Sequence, residues 1–258
     1  MQDNTEGNMP EVYKKNFLTN VLCHLQFEPI LRINEEEPVD LQERLRPRFP
    51  KYVNRTQSEI SVRHINQEPE VKFNTLINNR FFCDKDNVKS IVVNKNSIKF
   101  DNQKYTHFAE YVKDLKETLG VFEDIYKPMY YSKIGFRYVN QIVIPKGSPF
   151  NWKGLIHKDL VAATTGFVKN KKEIARCFSE LVIRKENYRI VFRFGLYNPE
   201  YPNPVVKKDF VLDYECQLDD EIAKDEALNY IEIFNNDIYE LFEESIGDDL
   251  RKLMKEGE

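Results

Sequence analysis

The apolar and polar positions alternate first at Asn16 to Phe27. Val21, Cys23, Leu25 and Phe27 fall on one side, and Leu22, His24 and Gln26 on the other, which is the period of a strand. Pro29 closes it, and Asp40 stands where an N-cap would open a short helix from Leu41 to Arg48 before Pro50. The alternation resumes over Ser58 to Ile65, at Arg80-Phe81-Phe82-Cys83, over Val88 to Val93 and over Ser97 to Phe100. The turn at Asp84 to Asn87 and the tight link Asn94-Lys95-Asn96 make this an antiparallel meander. Phe108, Tyr111, Val112, Leu115 and Leu119 then recur at helical spacing, with Thr106 as the expected cap and Gly120 as the expected stop.

The second part of the chain repeats this grammar. Tyr130 to Ile144 is the strongest strand, with Ile134, Phe136, Tyr138, Asn140 and Ile142 on one face and Arg137, Val139, Gln141 and Val143 on the other. A short helix follows over Lys153 to Thr164, then strands at Ile174 to Arg184, Tyr188 to Tyr197 and Asp209 to Cys216. A long amphipathic helix runs from Lys224 to Lys255, with Gly247 as a point where it kinks or breaks. The order is β-α-ββββ-α, then β-α-βββ-α. The expected class is α+β, a mostly antiparallel sheet with helices packed on it. The expected organisation is a disordered tail over 1–14, an α+β half over 15–125 and a second over 126–258 that ends in the long helix. Ferredoxin-like (split β-α-β) halves fit that order.

Composition narrows the class. The 258 residues include 18 Phe and 14 Tyr, so the chain can build a large core, and the nine Gly leave little room for phosphate-cradling loops. Cys23, Cys83, Cys177 and Cys216 are scattered on strand-like segments and read as free thiols. Residues 1–10 lack the pattern of a signal peptide, and no apolar run is long enough to span a membrane, so the expected location is the cytoplasm. Net charge is −4, but it is unevenly placed. Asp209 to Glu258 holds 17 acidic and 4 basic residues, a net of −13, and the rest of the chain nets +9. The acidic segment is a solvated helix face, covers a basic surface of its own chain or offers an acidic face to a protein partner.

Chemistry-bearing motifs are few. His24, His64, His107 and His157 show no metal spacing, and neither a metal nor another cofactor is expected. Glu70-Val71-Lys72 imitates half of a metal-dependent nuclease core, with Asp84 or Asp86 as a further carboxylate. Arg44, Arg46, Arg48, Lys51 and Arg55 form one basic cluster, and Lys169, Lys171, Lys172 and Arg176 form another. Tyr52 and Phe178 lie nearby, so the clusters are either solvated basic faces or a mixture suited to RNA or single-stranded DNA. Arg137, Arg193 and Asp213 stand on otherwise apolar strand faces. They are expected to meet there, as a charge-paired structural cluster or as an anion site.

Four phrases carry a resemblance: Arg48-Phe49-Pro50, Arg80-Phe81-Phe82, Leu212-Asp213 and, most specifically, the G-F-R-Y-V-N-Q-I run of Gly135 to Ile142. Together they resemble a sporadically distributed family of uncharacterised prokaryotic proteins of about this length, across Val12 to Met254. The patchy distribution implies mobile or defence-island genes. The expected function is a non-enzymatic interaction or regulatory protein, accessory to a phage-defence or toxin–antitoxin system. An RNA-binding protein or metal-independent ribonuclease on tandem ferredoxin-like halves is the alternative.

Overall fold

The computed structural model describes residues 13–65 and 68–257 and, within them, the side chains outside 57–76 and 163. Nine strands form one sheet: β1 (Leu18–Gln26), β2 (Lys51–Ile65), β3 (Glu68–Cys83), β4 (Lys89–Asn94), β5 (Ser97–Asn102), β6 (Lys133–Val143), β7 (Cys177–Arg184), β8 (Arg189–Leu196) and β9 (Asp209–Leu218). Their order is β2-β3-β4-β5-β1-β6-β9-β8-β7, and every neighbouring pair is antiparallel. The helices are α1 (Arg32–Glu35), α2 (Val39–Leu45), α3 (Phe108–Tyr126), α4 (Lys158–Thr165), α5 (Ala227–Ser245) and α6 (Asp248–Glu256). The protein is therefore α+β.

Both halves follow one plan. The first strand lies at the middle of the sheet, the chain leaves through helix, and a meander returns from the edge to pair with that first strand. A long helix, α3 or α5, then crosses the sheet. β1 and β6 pair antiparallel at the centre, Cys23 opposite Phe136. Neither half shows the expected ferredoxin-like order, because each completes its meander without a second helix between strands.

The helices lie on one face, where the strands turn their aromatics. Tyr111 of α3 contacts Phe100 and Phe136, Phe122 meets Phe27, and Phe242 of α5 meets Tyr214. Phe192 stacks on Tyr214 at 4.6 Å. Most of the core is this sandwich of aromatic strand residues and helix stripes, whose area removed from water is the main favourable term. Among the described residues no helix packs on the other face.

Several boundaries differ from the sequence reading. Gly120 does not stop α3. Beyond it Phe122 is fully buried, and the helix ends at Lys127, whose backbone is left-handed. The α3 cap is His107, whose Nδ1 accepts from the Glu110 N–H at 3.2 Å, while Thr106 donates to the Glu110 carboxylate. Asp40 lies inside the first turn of α2 and does not cap it. The long C-terminal helix is two helices. Ile246 is extended and bridges Ile156, and Gly247 stands so close to Gly154 that a Cβ would lie 2.1 Å from its carbonyl oxygen. Of the expected tail, 1–12 lie outside the described residues; Tyr13 donates to Glu243 at 2.5 Å.

Candidate functional site

The uncovered sheet face carries Arg137, Arg193 and Asp213. Strand alternation places Arg137 there, while its neighbours Phe136 and Tyr138 enter the core. Asp213 of β9 is opposite Val139 and also opposite Arg193 of β8, so both arginines reach it. Arg137 forks onto Asp213 with two hydrogen bonds of 2.7 Å. Arg193 lies 3.7 Å from the same carboxylate and also holds Glu180 at 2.8 Å and Glu215 at 3.1 Å. The Asp213 side chain is only 6% exposed, so a bidentate partner is what makes its burial tolerable.

The row is close to charge balance. Two guanidiniums meet three carboxylates, a net of −1. Burial pushes Glu215 up, but hydrogen bonds from Gln217 and Arg193 and the charge of Arg137 outweigh it and hold the carboxyl below its ordinary range. An added anion would have to displace Asp213 from Arg137, so the anion-site alternative has little support. Towards one end of the face a second group forms, in which Lys133 and Arg189 each hold Asp219 at 2.8 Å. Between the groups lies His24, which burial first, and then Lys99 and Lys133, lower to about 4. Its Nε2 is buried without a partner.

Of the first basic cluster, Lys51 and Arg55 share the open face with Val53 at the β2 edge, while Arg44, Arg46 and Arg48 belong to α2 and the turn after it. Arg44 pairs with Asp124 at 2.9 Å, and Arg48 pairs with Glu117 at 2.8 Å and Asp114 at 3.3 Å, all on α3. Lys51 donates to Asn87 and to the Lys85 carbonyl, and Arg55 stacks on Phe81 at 4.8 Å. Arg46 is exposed. Lys169, Lys171 and Lys172 sit in and before the turn that leads into β7, at the opposite edge of the sheet from β2. Eight interstrand spacings, roughly 38 Å, separate those edges.

One site was not visible in the sequence. A cavity of about 160 Å³ lies at the seam of the halves, between the start of β1, the loop before α3, β6, α5 and α6. Tyr138 donates to Asn235 at 2.8 Å and touches the Tyr105 hydroxyl at 3.2 Å. Asn140, 4% exposed, makes one long contact of 3.5 Å to the Leu212 carbonyl. No Asp, Glu, Lys or Arg lines the cavity. Burial holds the Tyr105 and Tyr138 hydroxyls above their ordinary range, so both stay protonated and act as neutral hydrogen-bonding groups. The lining comes from five separate segments, although Tyr138 and Asn140 belong to the same phrase as Arg137.

Two broader grooves, of about 680 and 490 Å³, flank the α5–α6 break. There Arg251 is held by Glu243 at 2.9 Å and Asp248 at 2.9 Å. Part of the acidic C-terminal segment is also used internally, since Asp237 holds Lys185 at 2.9 Å. Glu70 and Lys72 lie outside the residues whose side chains are described. Asp84 is a turn residue whose carboxylate accepts the Val88 N–H. Among the described residues no group of three or more His, Cys, Asp or Glu is arranged to hold a metal, and no helix is long and apolar enough to cross a membrane. No protein-family model matches the chain, and no curated protein matches it at a significant level.

Proposed function

We propose that the chain is a non-enzymatic interaction or regulatory protein that receives a folded protein partner on the uncovered face of its sheet. The supporting observation is that face itself. Helices crowd one side of nine strands, while the other side presents a nearly balanced row of ion pairs bordered by solvent-exposed apolar side chains. Val143, Phe178 and Val182 are 48%, 37% and 53% exposed on the strands that carry the row, and Val53, 47% exposed, lies on the same face at the far β2 edge; such a mixture fits a protein surface of mixed charge. The family resemblance adds an accessory place in a prokaryotic defence or toxin–antitoxin system.

Catalysis draws less support. The cavity is lined by amides, phenols and His107, with no Asp, Glu, Lys or Arg among its lining residues to complete an acid–base pair. The nucleic-acid reading also draws less support, because Arg44 and Arg48 are engaged with α3 and the second basic cluster lies at the far edge.

The test is capture of partners by the tagged chain from its native host, with and without nuclease, comparing wild type with Val53→Lys/Val143→Lys. Those changes add charge to the open face without removing an ion pair. A stoichiometric, nuclease-resistant protein lost by that variant, but kept by Glu244→Lys on the helix side, is the expected result. RNA lost on reversal of Arg46 and Lys169 would replace this reading with the nucleic-acid one.

A further inference from the structure

We infer that β7 is a dimerisation edge, along which two copies of this chain pair antiparallel about a dyad at Val182 and continue the sheet from one subunit into the other. This surface shares Phe178 and Val182 with the partner-binding face proposed above, but the pairing of β7 backbones does not depend on that proposal.

Among the described residues β7 is the last strand on its side of the sheet, and one row of its backbone N–H and C=O groups has no described strand beside it. Monomeric proteins guard such an edge with lysine, proline, a bulge or a covering loop. Cys177–Arg184 contains no Lys, Pro or Gly and pairs with β8 without a register shift. It also exposes apolar groups on both faces: Phe178 and Val182 on the open face, and Leu181, 49% exposed, on the helix face. The edge is regular and half apolar, and its two charged side chains, Glu180 and Arg184, are of opposite sign.

Its charges select the occupant. A dyad normal to the sheet keeps open face beside open face only when it passes through a residue, because opposed residues then share a face. Centring on Glu180 or Arg184 sets like charges opposite each other. Centring on Leu181 places Glu180 opposite the partner's Val182 and Arg184 opposite the partner's Phe178. Centring on Ile183 puts Glu180 opposite the partner's Glu186. Centring on Cys177 or Ser179 pairs no opposite charges, and centring on Phe178 sets Glu180 opposite the partner's Arg176 but needs the Ile174 and Ala175 carbonyls, which Val205 and Asn198 already occupy. Val182 is the centre that pairs opposite charges within β7 itself. There Glu180 faces the partner's Arg184 twice over, Val182 faces the partner's Val182, and Leu181 faces the partner's Ile183. Arg184 is exposed and makes no ion pair among the described residues. Among the described residues Glu180 is bound only through one oxygen to Arg193, and its side chain is 53% exposed, so it can take a second cation. Cross-strand pairs of opposite charge and of β-branched residues are favourable in this geometry.

Sedimentation equilibrium of the full chain tests the proposal. Wild type is expected at twice the 30.7 kDa chain mass. Arg184→Glu is expected at the monomer mass, and Glu180→Arg/Arg184→Glu at the dimer mass again, all three with native circular dichroism. Val182→Cys, at an exposed position, should form a disulfide-linked dimer under mild oxidation, since directly opposed residues lie within disulfide reach. Leu181→Cys should not. A wild-type monomer at every concentration, a dimer indifferent to Arg184→Glu, or equal cross-linking at 181 and 182 would overturn the proposal.

Discussion

Single side chains on the open face set two measurable properties. An unfolded histidine takes a proton near 6.5, but folded His24 does so only near 4. Between those values the unfolded state binds more protons, so stability falls as pH drops through that window. From pH 7 to pH 5 the loss from this group is about 2 kcal/mol at most, and less where solvent reaches the ring. His24→Gln should flatten the difference in urea-unfolding free energy between those two pH values; an unchanged slope would remove His24 as its source. Asp213 governs the other property. Asp213→Ala strands the Arg137 guanidinium and removes a carboxylate from Arg193, at an expected cost of about 2–3 kcal/mol. Replacing both ends, as Arg137→Met/Asp213→Leu, should recover much of that, because the desolvation of both charges disappears with them. Denaturant midpoints of the single and double variants measure the difference.

The elements show where alternation and spacing are sufficient signals. The strand alternation of Val21, Cys23 and Leu25 and of Phe136, Tyr138 and Asn140 faces the core as the sequence reads, because a half-covered antiparallel sheet imposes a period of two. Glycine misled at α3. Gly120 resembles a helix stop, but burial of Phe122 against Phe27 outweighs its poor propensity and carries the helix six residues further. A Cβ at Gly120 would meet nothing within 4 Å, so Gly120→Ala should raise stability by about 1 kcal/mol in thermal or urea unfolding. Gly247 is the opposite case. Its Cβ would strike the Gly154 carbonyl, so Gly247→Ala must shift the α5–α6 junction, and a loss of roughly 2–3 kcal/mol is expected. The same pair of unfolding curves distinguishes a tolerated helix glycine from one held by backbone contact. Sheet order was not legible, because each strand's partner depends on long-range closure. The seam cavity was not legible either, since Asn16, Tyr105, Asn140 and Asn235 converge only once the helices have docked.

At the scale of the whole molecule, the sequence divides into two halves that share one core. β1 and β6 exchange backbone bonds from Leu18 to Gln26. Tyr111 of the first half packs on Phe136 of the second at 5.8 Å, and Tyr105 packs on Tyr138 at 5.6 Å. Separating the halves would expose a central strand on each and strip the aromatic seam between them. The halves should therefore melt together. Trp152, the single tryptophan, is buried against Phe210 in the second half and reports on that half alone. Far-ultraviolet circular dichroism reports on both. Coincident urea transitions by the two probes are expected, because stability that resides in a shared core is lost all at once. If fluorescence and circular dichroism separated into two midpoints, the seam would be a docking interface between independent units, and residues 15–125 should then fold alone. If they coincide, either half expressed alone should aggregate through its exposed β1 or β6 edge, and the open face would be one rigid surface spanning both halves.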